Sequence, residues 1–441
     1  MTGVRHEGAR RLVHAGIGAL AFVLAYLTPL QAAALAGGAI LFNRWLLPRL
    51  GGGGLFRPGE LQSPWKSGIL LYPTSILILI VLFHDRMEVV AAAWVMMAAG
   101  DAAAGWAGRC FGGPPLPWSR SKTIAGSTAF VLASLPMVWA VLVWMGRPAG
   151  EALLLAVPAC LFGAFVESLP WRLDDNLTVP ILGALFLSGL VQVDPGRLAA
   201  ARSGLARDAL AGILVNLAVA LLFRRLGVVT RSGTIAGFAV GALTWTFAGW
   251  RGFAVLLSFF LLGTATTRLG LARKKRAGIA HETRSAHHAL ANCGVAVYLA
   301  FLAASAGEPA VFLLAFVCAY ATAAFDTVSA EIGEAYGGRP VLITTLRSVP
   351  AGTNGAISWV GTLAGLGAAL AVGGVAAALG LIEAPRLGIV LAAAFAGSTA
   401  DSFLGATLEA RGLMDNDTVN FSNTLIGALA GIGLLALAPG S

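Results

Sequence analysis

The chain has 441 residues, 57% of them hydrophobic and only 12% charged, and its mean hydropathy is +0.80. Ordinary soluble domains carry about 25% charged residues, so this composition excludes a soluble enzyme, a disordered protein and a secreted disulfide scaffold. What remains is an all-α fold, a polytopic integral membrane protein, and the net charge of +9 reads as Lys- and Arg-rich cytoplasmic loops, with no nucleic-acid partner expected.

In chain order, Arg5, Arg10 and Arg11 precede the first apolar run, and no small-residue cleavage site follows it, so no cleavable signal is expected. Apolar runs then lie at 12–28, 31–43, 67–83, 87–105, 126–145, 152–170, 177–193, 208–223, 233–250, 252–269, 287–305, 310–326, 353–378, 387–405 and 420–438. At roughly 20 residues per span these predict about 15 transmembrane helices, the short second run being the weakest. With the N-terminus inside, only Arg86, Arg147, Arg197, Arg202, Arg207, Arg251 and Arg386 fall outside, which supports an N-in orientation. The three arginines at 197–207 go against the rule, so that loop is either an interfacial segment or a place where the parity fails. Cys110, Cys160, Cys293 and Cys318 form no CxxC pair and read as small apolar fillers.

Self-comparison reveals an internal repeat. From Asp101, residues Gly108, Phe111, Gly112 and Gly113 stand at +7, +10, +11 and +12; from Asp326, residues Gly333, Tyr336, Gly337 and Gly338 stand at the same offsets. A cation follows at +21 in each, Lys122 and Arg347, then a small-residue turn, Ala125-Gly126-Ser127 and Ala351-Gly352-Thr353. Each half later carries an acid followed by Ser (Glu167-Ser168, Asp401-Ser402) and a D-N-x-T-V segment starting at Asp175 and Asp415. An even number of runs separates the two Asp motifs, which predicts two parallel repeats of about 7 helices joined by a linking helix. The domains expected are 1–195, a linking segment 196–230, and 231–441.

Ionisable residues in or beside membrane spans are expensive and functional. Asp101 and Asp326 each end an apolar run and are followed by glycines and basic residues. That combination suits a phosphorylated ligand: carboxylates and amide oxygens hold Mg²⁺, glycines admit phosphates to the backbone, and Arg and Lys neutralise oxygens. The cations are Arg109, Arg120 and Lys122 in the first half, and Arg339, Arg347 and Arg284 in the second. The run Arg273-Lys274-Lys275-Arg276 reads rather as a positive-inside anchor. The glycine pairs at 112–113 and 337–338 are equally compatible with plain turns, and His14 with a packed histidine. No Walker or kinase glycine-loop motif occurs.

The first half resembles the phytol kinase, dolichol kinase and phosphatidate cytidylyltransferase group. The matching pieces are Glu7 with Arg10-Arg11-x-x-His14, Tyr72-Pro73-x-Ser75, GDAAAGWAGRCFGG at 100–113, SKTIAGSTA at 121–129, and Glu167 with DNLTVP at 175–180. Ile124 and Ala125 replace the aromatic and the acid usual there. The second half resembles the membrane family of domain of unknown function 92, which includes phytyl-phosphate kinase. Its pieces are SGTIAGFAVG at 232–241, TRSAHHALANCG at 283–294, FDTVSAEIG at 325–333, RPVLITT at 339–345, GTNGAIS at 352–358, ADSFLGATLE at 400–409 and VNFSNTLIGAL at 419–429.

The resemblance implies a fusion of two kinases. The first would phosphorylate a phytol- or geranylgeraniol-type alcohol to its monophosphate, and the second the monophosphate to the diphosphate, with CTP (or ATP) as donor. Asp101 and Asp326 would be catalytic, at Mg²⁺ or at the acceptor. Glu167, Asp175 and Asn176 would join the first metal site, and Glu331, Asp401, Asp415 and Asn416 the second. Phosphate would meet Arg109, Arg120, Lys122, Gly126, Ser127, Arg284, Arg339, Arg347, Gly352, Thr353 and Asn354, with Arg11, His14, His288 and Glu409 as accessories. Membrane lipids, the isoprenoid alcohol and its monophosphate are the partners expected, in a bacterial inner membrane with the motif loops cytoplasmic. A cytidylyltransferase and a lipid transporter are the competing readings.

Overall fold

The computed structural model describes residues 16–50, 56, 67–271, 274 and 285–438. The chain divides into two compact units, Met1–Val191 and Gln192–Ser441. It is an all-α, polytopic integral membrane protein: among the described residues, ten helices are long and apolar enough to cross a membrane, and Gly16–Tyr26, Gly68–Leu82 and Asp175–Leu190 are shorter apolar helices.

The first unit opens with a 3₁₀ segment, Ala19–Tyr26, followed by α1 (Pro29–Leu41), α2 (Gly68–Leu82), α3 (Met87–Cys110), the two-stranded ribbon β1 (Pro115–Leu116) and β2 (Ser119–Thr123), then α4 (Ile124–Trp144), α5 (Ala149–Ser168) and α6 (Asp175–Leu190). Helix α1 starts at a reciprocal cap between Thr28 and Gln31, with Pro29 in its first turn. Its 13 residues span about 20 Å, less than the ~30 Å hydrocarbon core, which accounts for the weakness of the predicted 31–43 run. Helix α3 is the centre of the unit. Val89, Val90, Ala91, Ala93 and Met97 are fully buried, and its alanines let neighbouring helices approach closely.

The second unit runs α7 (Pro195–Arg225), α8 (Arg231–Arg268), α9 (Ala286–Ser305), α10 (Pro309–Tyr336), the ribbon β3 (Val341–Leu342) and β4 (Ala356–Ile357), α11 (Trp359–Ala378), α12 (Leu387–Leu404) and α13 (Asn416–Leu437). The expected linking segment thus belongs to this unit, as α7 packed on α8. Helix α7 has 31 residues, about 46 Å, longer than the ~30 Å hydrocarbon core, and Arg197, Arg202 and Arg207 lie in its N-terminal half. Helix α8 is two arms: Gly249 has φ 65° and ψ −173°, and the Trp245 and Phe253 rings lie 5.3 Å apart, whereas eight residues of continuous helix would separate them by about 12 Å. The chain folds back there, between the predicted runs 233–250 and 252–269. Helix α10 is the central helix, with Leu314 through Ala319 fully buried. Each unit is therefore built around the helix that carries its predicted catalytic Asp, followed by a two-stranded ribbon and another helix.

Candidate functional site

In the first unit, α3 carries Asp101, α5 brings Glu167 at its C-terminal end, and α6 brings Asp175 at its start. One carboxylate oxygen from each lies within 4.8 Å of the other two. Glu167 is only 4% exposed. Lys122, the last residue but one of β2, donates to Glu167 Oε1 at 2.6 Å and to Asp175 Oδ2 at 2.9 Å. Burial opposes charge on Lys122, but the Asp175 and Glu167 carboxylates more than offset it and hold the ammonium above its ordinary pKa. The ribbon is tied to this spot by Trp118, whose Nε1 donates to Ser168 Oγ at 3.0 Å, beside Glu167. Tyr72 lies within electrostatic range of Asp101 and accepts a 2.8 Å hydrogen bond from Trp94 Nε1.

The three carboxylates are a donor set that fits a hard divalent cation, and in the first turn of α6 Asn176 Oδ1 is buried without a hydrogen-bond partner. Next to it, α4 begins at Thr123, whose side chain accepts from Gly126 N at 3.1 Å. Ser127 Oγ, in the first turn, is buried without a partner, at a helix end that favours anions. Arg109 and Arg120 are exposed. Arg11 and His14 lie outside the described residues.

The second unit assembles its acids differently. Asp326 on α10 has the Asp401 carboxyl within hydrogen-bonding reach and Glu409 within electrostatic range. Glu409, on a π-helical turn Gly405–Glu409 that follows α12, interacts in turn with Asp401 and Asp415. Asn423 Nδ2 donates to Asp401 Oδ1 at 2.8 Å from a fully buried position. Two carboxyl groups in contact need a proton or a cation between them. Among the described residues no lysine or arginine pairs with these acids, whereas Lys122 does so in the first unit.

The second ribbon reaches this cluster through Gly355. Its φ is 77°, and an added Cβ would stand 2.4 Å from Ser402 O and 2.5 Å from Ala406 N. This close approach sets Asn354 against Gly405, one turn from Asp401. Thr353 donates to Pro350 O at 2.7 Å, Gly352 has φ 82°, and Arg339 and Arg347 are exposed. The glycines at 112–113 and Gly338 have positive φ at the turns that end α3 and α10. Arg284 lies outside the described residues.

Three placements differ from the spacing argument. Asp174, not Asp175, caps α6, accepting from Asn176 N at 2.9 Å, whereas Asp415 itself caps α13, accepting from Thr418 N at 2.8 Å. The caps are thus offset by one residue from the D-N-x-T-V match, which leaves Asp175 turned to Lys122. Glu331 accepts from Thr267 Oγ1 at 2.8 Å and pairs with Lys274. Five residues past Asp326 it faces another side of α10, so the structure does not bring it to Asp401. Asn416 is exposed. His288 faces Asp417, Nε2 to Oδ1 3.9 Å. Trp118, Thr267 and Asn423 carry no motif signal; a polar Asn inside an apolar helix is the one mark that points to the last.

The integral membrane protein family DUF92 matches residues 214–428, all within the second unit. An uncharacterized membrane protein of Synechocystis sp. is 39% identical over 208 residues, 46% of this chain and 80% of that protein. A probable phytol kinase 3 of Glycine max is 33% identical over 136 residues, 29% of this chain and 42% of that protein. A CTP-dependent diacylglycerol kinase 1 of Schizosaccharomyces pombe is 29% identical over 210 residues, 42% of this chain and 93% of that protein. No solved structure matches. Through residues 214–428 the chain belongs to the DUF92 family of integral membrane proteins.

Proposed function

We propose that the protein is a membrane lipid kinase of two sites, phosphorylating an isoprenoid alcohol in the first unit and the resulting monophosphate in the second. The observation that carries this reading is the cluster of Asp101, Glu167 and Asp175 with Lys122 between two of them, and a second acid cluster in which Asp326 of the other unit's central helix meets Asp401 and Glu409. The kinase relatives support phosphoryl transfer from a nucleoside triphosphate, with CTP as the favoured donor.

In the first step the alcohol oxygen bonds to the γ-phosphorus, the bond to the β-phosphate oxygen breaks, the hydroxyl proton passes to a carboxylate of the triad, and CDP leaves. Phosphoryl transfer asks mainly for positioning and charge neutralisation. Asp101, Glu167, Asp175 and Asn176 would hold Mg²⁺, which supplies charge neutralisation at the phosphates. Lys122 and the start of α4, with Ser127, receive phosphate oxygens. In the second step an oxygen of the monophosphate bonds to the γ-phosphorus of a second CTP, the bond to its β-phosphate oxygen breaks and CDP leaves; Asp326, Asp401, Glu409 and Asp415 would hold the cation, and Asn354 and Arg347 on the ribbon would meet the donor. Both sites face the cytoplasm of a bacterial inner membrane. The intermediate stays in the bilayer, which shortens its search for the second site.

The test is product identity with purified protein in lipid. Label from γ-labelled CTP enters lipid and CDP is released under this reading. Pyrophosphate release and α-label in the lipid would instead make it a cytidylyltransferase.

A further inference from the structure

Between α7, the two arms of α8 and α9 lies an open-mouthed cleft of about 100 Å³. Its walls are apolar: Val219, Phe223, Val240, Phe253, Leu256 and Phe260. The polar residues that line it are satisfied along their own helices. Asn216 Nδ2 donates to Gly212 O at 2.9 Å, and Asn292 Nδ2 to His288 O at 2.9 Å. From Ser285 to Cys293 it extends about 12 Å along α9. At the N-terminal end of α9, lining residue His288 meets Asp417, 3.9 Å away, at the start of α13. Two residues before Asp417 is Asp415, which interacts with Glu409 of the acid cluster. An apolar slot thus ends beside the proposed phosphoryl-transfer site.

We propose that this slot seats the hydrocarbon tail of a single-chain isoprenoid phosphate, with its phosphate at the His288 end. The assignment rests on the kinase reading of the second unit. It makes the slot the place where chain length is measured. Gly237 lines the slot, and a Cβ added there meets no atom within 4 Å, so Gly237→Leu places an apolar side chain at the slot wall and exchanges glycine for a better helix former.

The full chain in phosphatidylcholine nanodiscs is photolabelled with geranylgeranyl monophosphate bearing a diazirine at the tail end, and labelled peptides are mapped by mass spectrometry. The result expected is labelling of the peptides containing Val219–Phe223, Val240 and Phe253–Phe260, suppressed by unlabelled geranylgeranyl monophosphate. Gly237→Leu lowers it about tenfold, the scale of losing a methylene or two of pocket, while Leu363→Trp, 65% exposed on α11, serves as the distant control. Labelling elsewhere, labelling unaffected by Gly237→Leu, or labelling suppressed by phosphatidylcholine but not by the isoprenyl phosphate overturns the tail site. Because labelling needs no turnover, the two readings separate. Turnover with no label in the slot defeats the tail site alone, and specific label without any turnover defeats the kinase reading alone.

Discussion

Lys122→Met isolates the electrostatics of the first unit. Lys122 makes two charge-assisted hydrogen bonds, 2.6 Å to Glu167, whose side chain is 6% exposed, and 2.9 Å to Asp175, which is 33% exposed. Hydrogen bonds to charged groups contribute about 1.5–3 kcal/mol. Solvent competes for the Asp175 bond, which is therefore counted at ~0.5–1 kcal/mol, and the Glu167 bond is counted in full. The sum is a loss of about 3 kcal/mol, in line with the cost of leaving a buried charge unpaired. The variant leaves three carboxylates with no ammonium among them, so Mg²⁺ stabilises it more than the wild type; at a hundredfold excess over the variant's Kd the variant gains about 2.7 kcal/mol, and the wild type gains less. Denaturant titration in mixed micelles, followed by tryptophan fluorescence with and without Mg²⁺, reads both quantities. A variant within ~0.5 kcal/mol of wild type, or an equal Mg²⁺ increment in both proteins, would refute this account of the cluster.

Gly355→Ala forces a Cβ to within 2.4 Å of Ser402 O at φ 77°; left-handed strain alone costs about 1–2 kcal/mol, so conversion of monophosphate to diphosphate falls sharply while phosphorylation of the alcohol persists, as a chromatographic product assay will show. Asn423→Ala removes the 2.8 Å donor to Asp401 and costs about 2 kcal/mol, read by the same micelle denaturation, with loss of the second step. Asp174→Ala removes the cap of α6 for about 1 kcal/mol and keeps alcohol phosphorylation, whereas Asp175→Ala keeps the cap and abolishes that step; equal losses from both would contradict the assignment of site acid and capping acid.

Much of this architecture is legible in the residues because apolar runs and in-membrane acids leave strong marks. The break in α8 falls at Gly249, where the predicted runs at 233–250 and 252–269 part, since only a backbone free at positive φ reverses there. Motif order groups Asp101, Glu167 and Asp175, and the fold draws one carboxylate oxygen of each within 4.8 Å of the others. What the spacing does not carry is orientation. Lys122 reads as a cation for phosphate, and the spacing does not show that β2 also lays it between two carboxylates. Asp175 and Asp415 are equivalent in sequence, yet the preceding Asp174 takes over the cap in one helix only. Glu331 shares a helix with Asp326 but not a face, and its partner Thr267 is distant in sequence. Helix ends and cross-helix contacts decide those cases, and a linear motif contains neither.

The central claim is two phosphoryl-transfer sites in one chain. The most direct measurement follows γ-labelled CTP into lipid products with geranylgeraniol as acceptor and Mg²⁺ present, comparing wild type with Asp101→Asn and Asp326→Asn. Wild type should make the diphosphate, Asp326→Asn should stop at the monophosphate, and Asp101→Asn should act only on supplied monophosphate. If a single substitution abolishes both steps, or if no label enters lipid with any nucleotide, the two-site account is wrong.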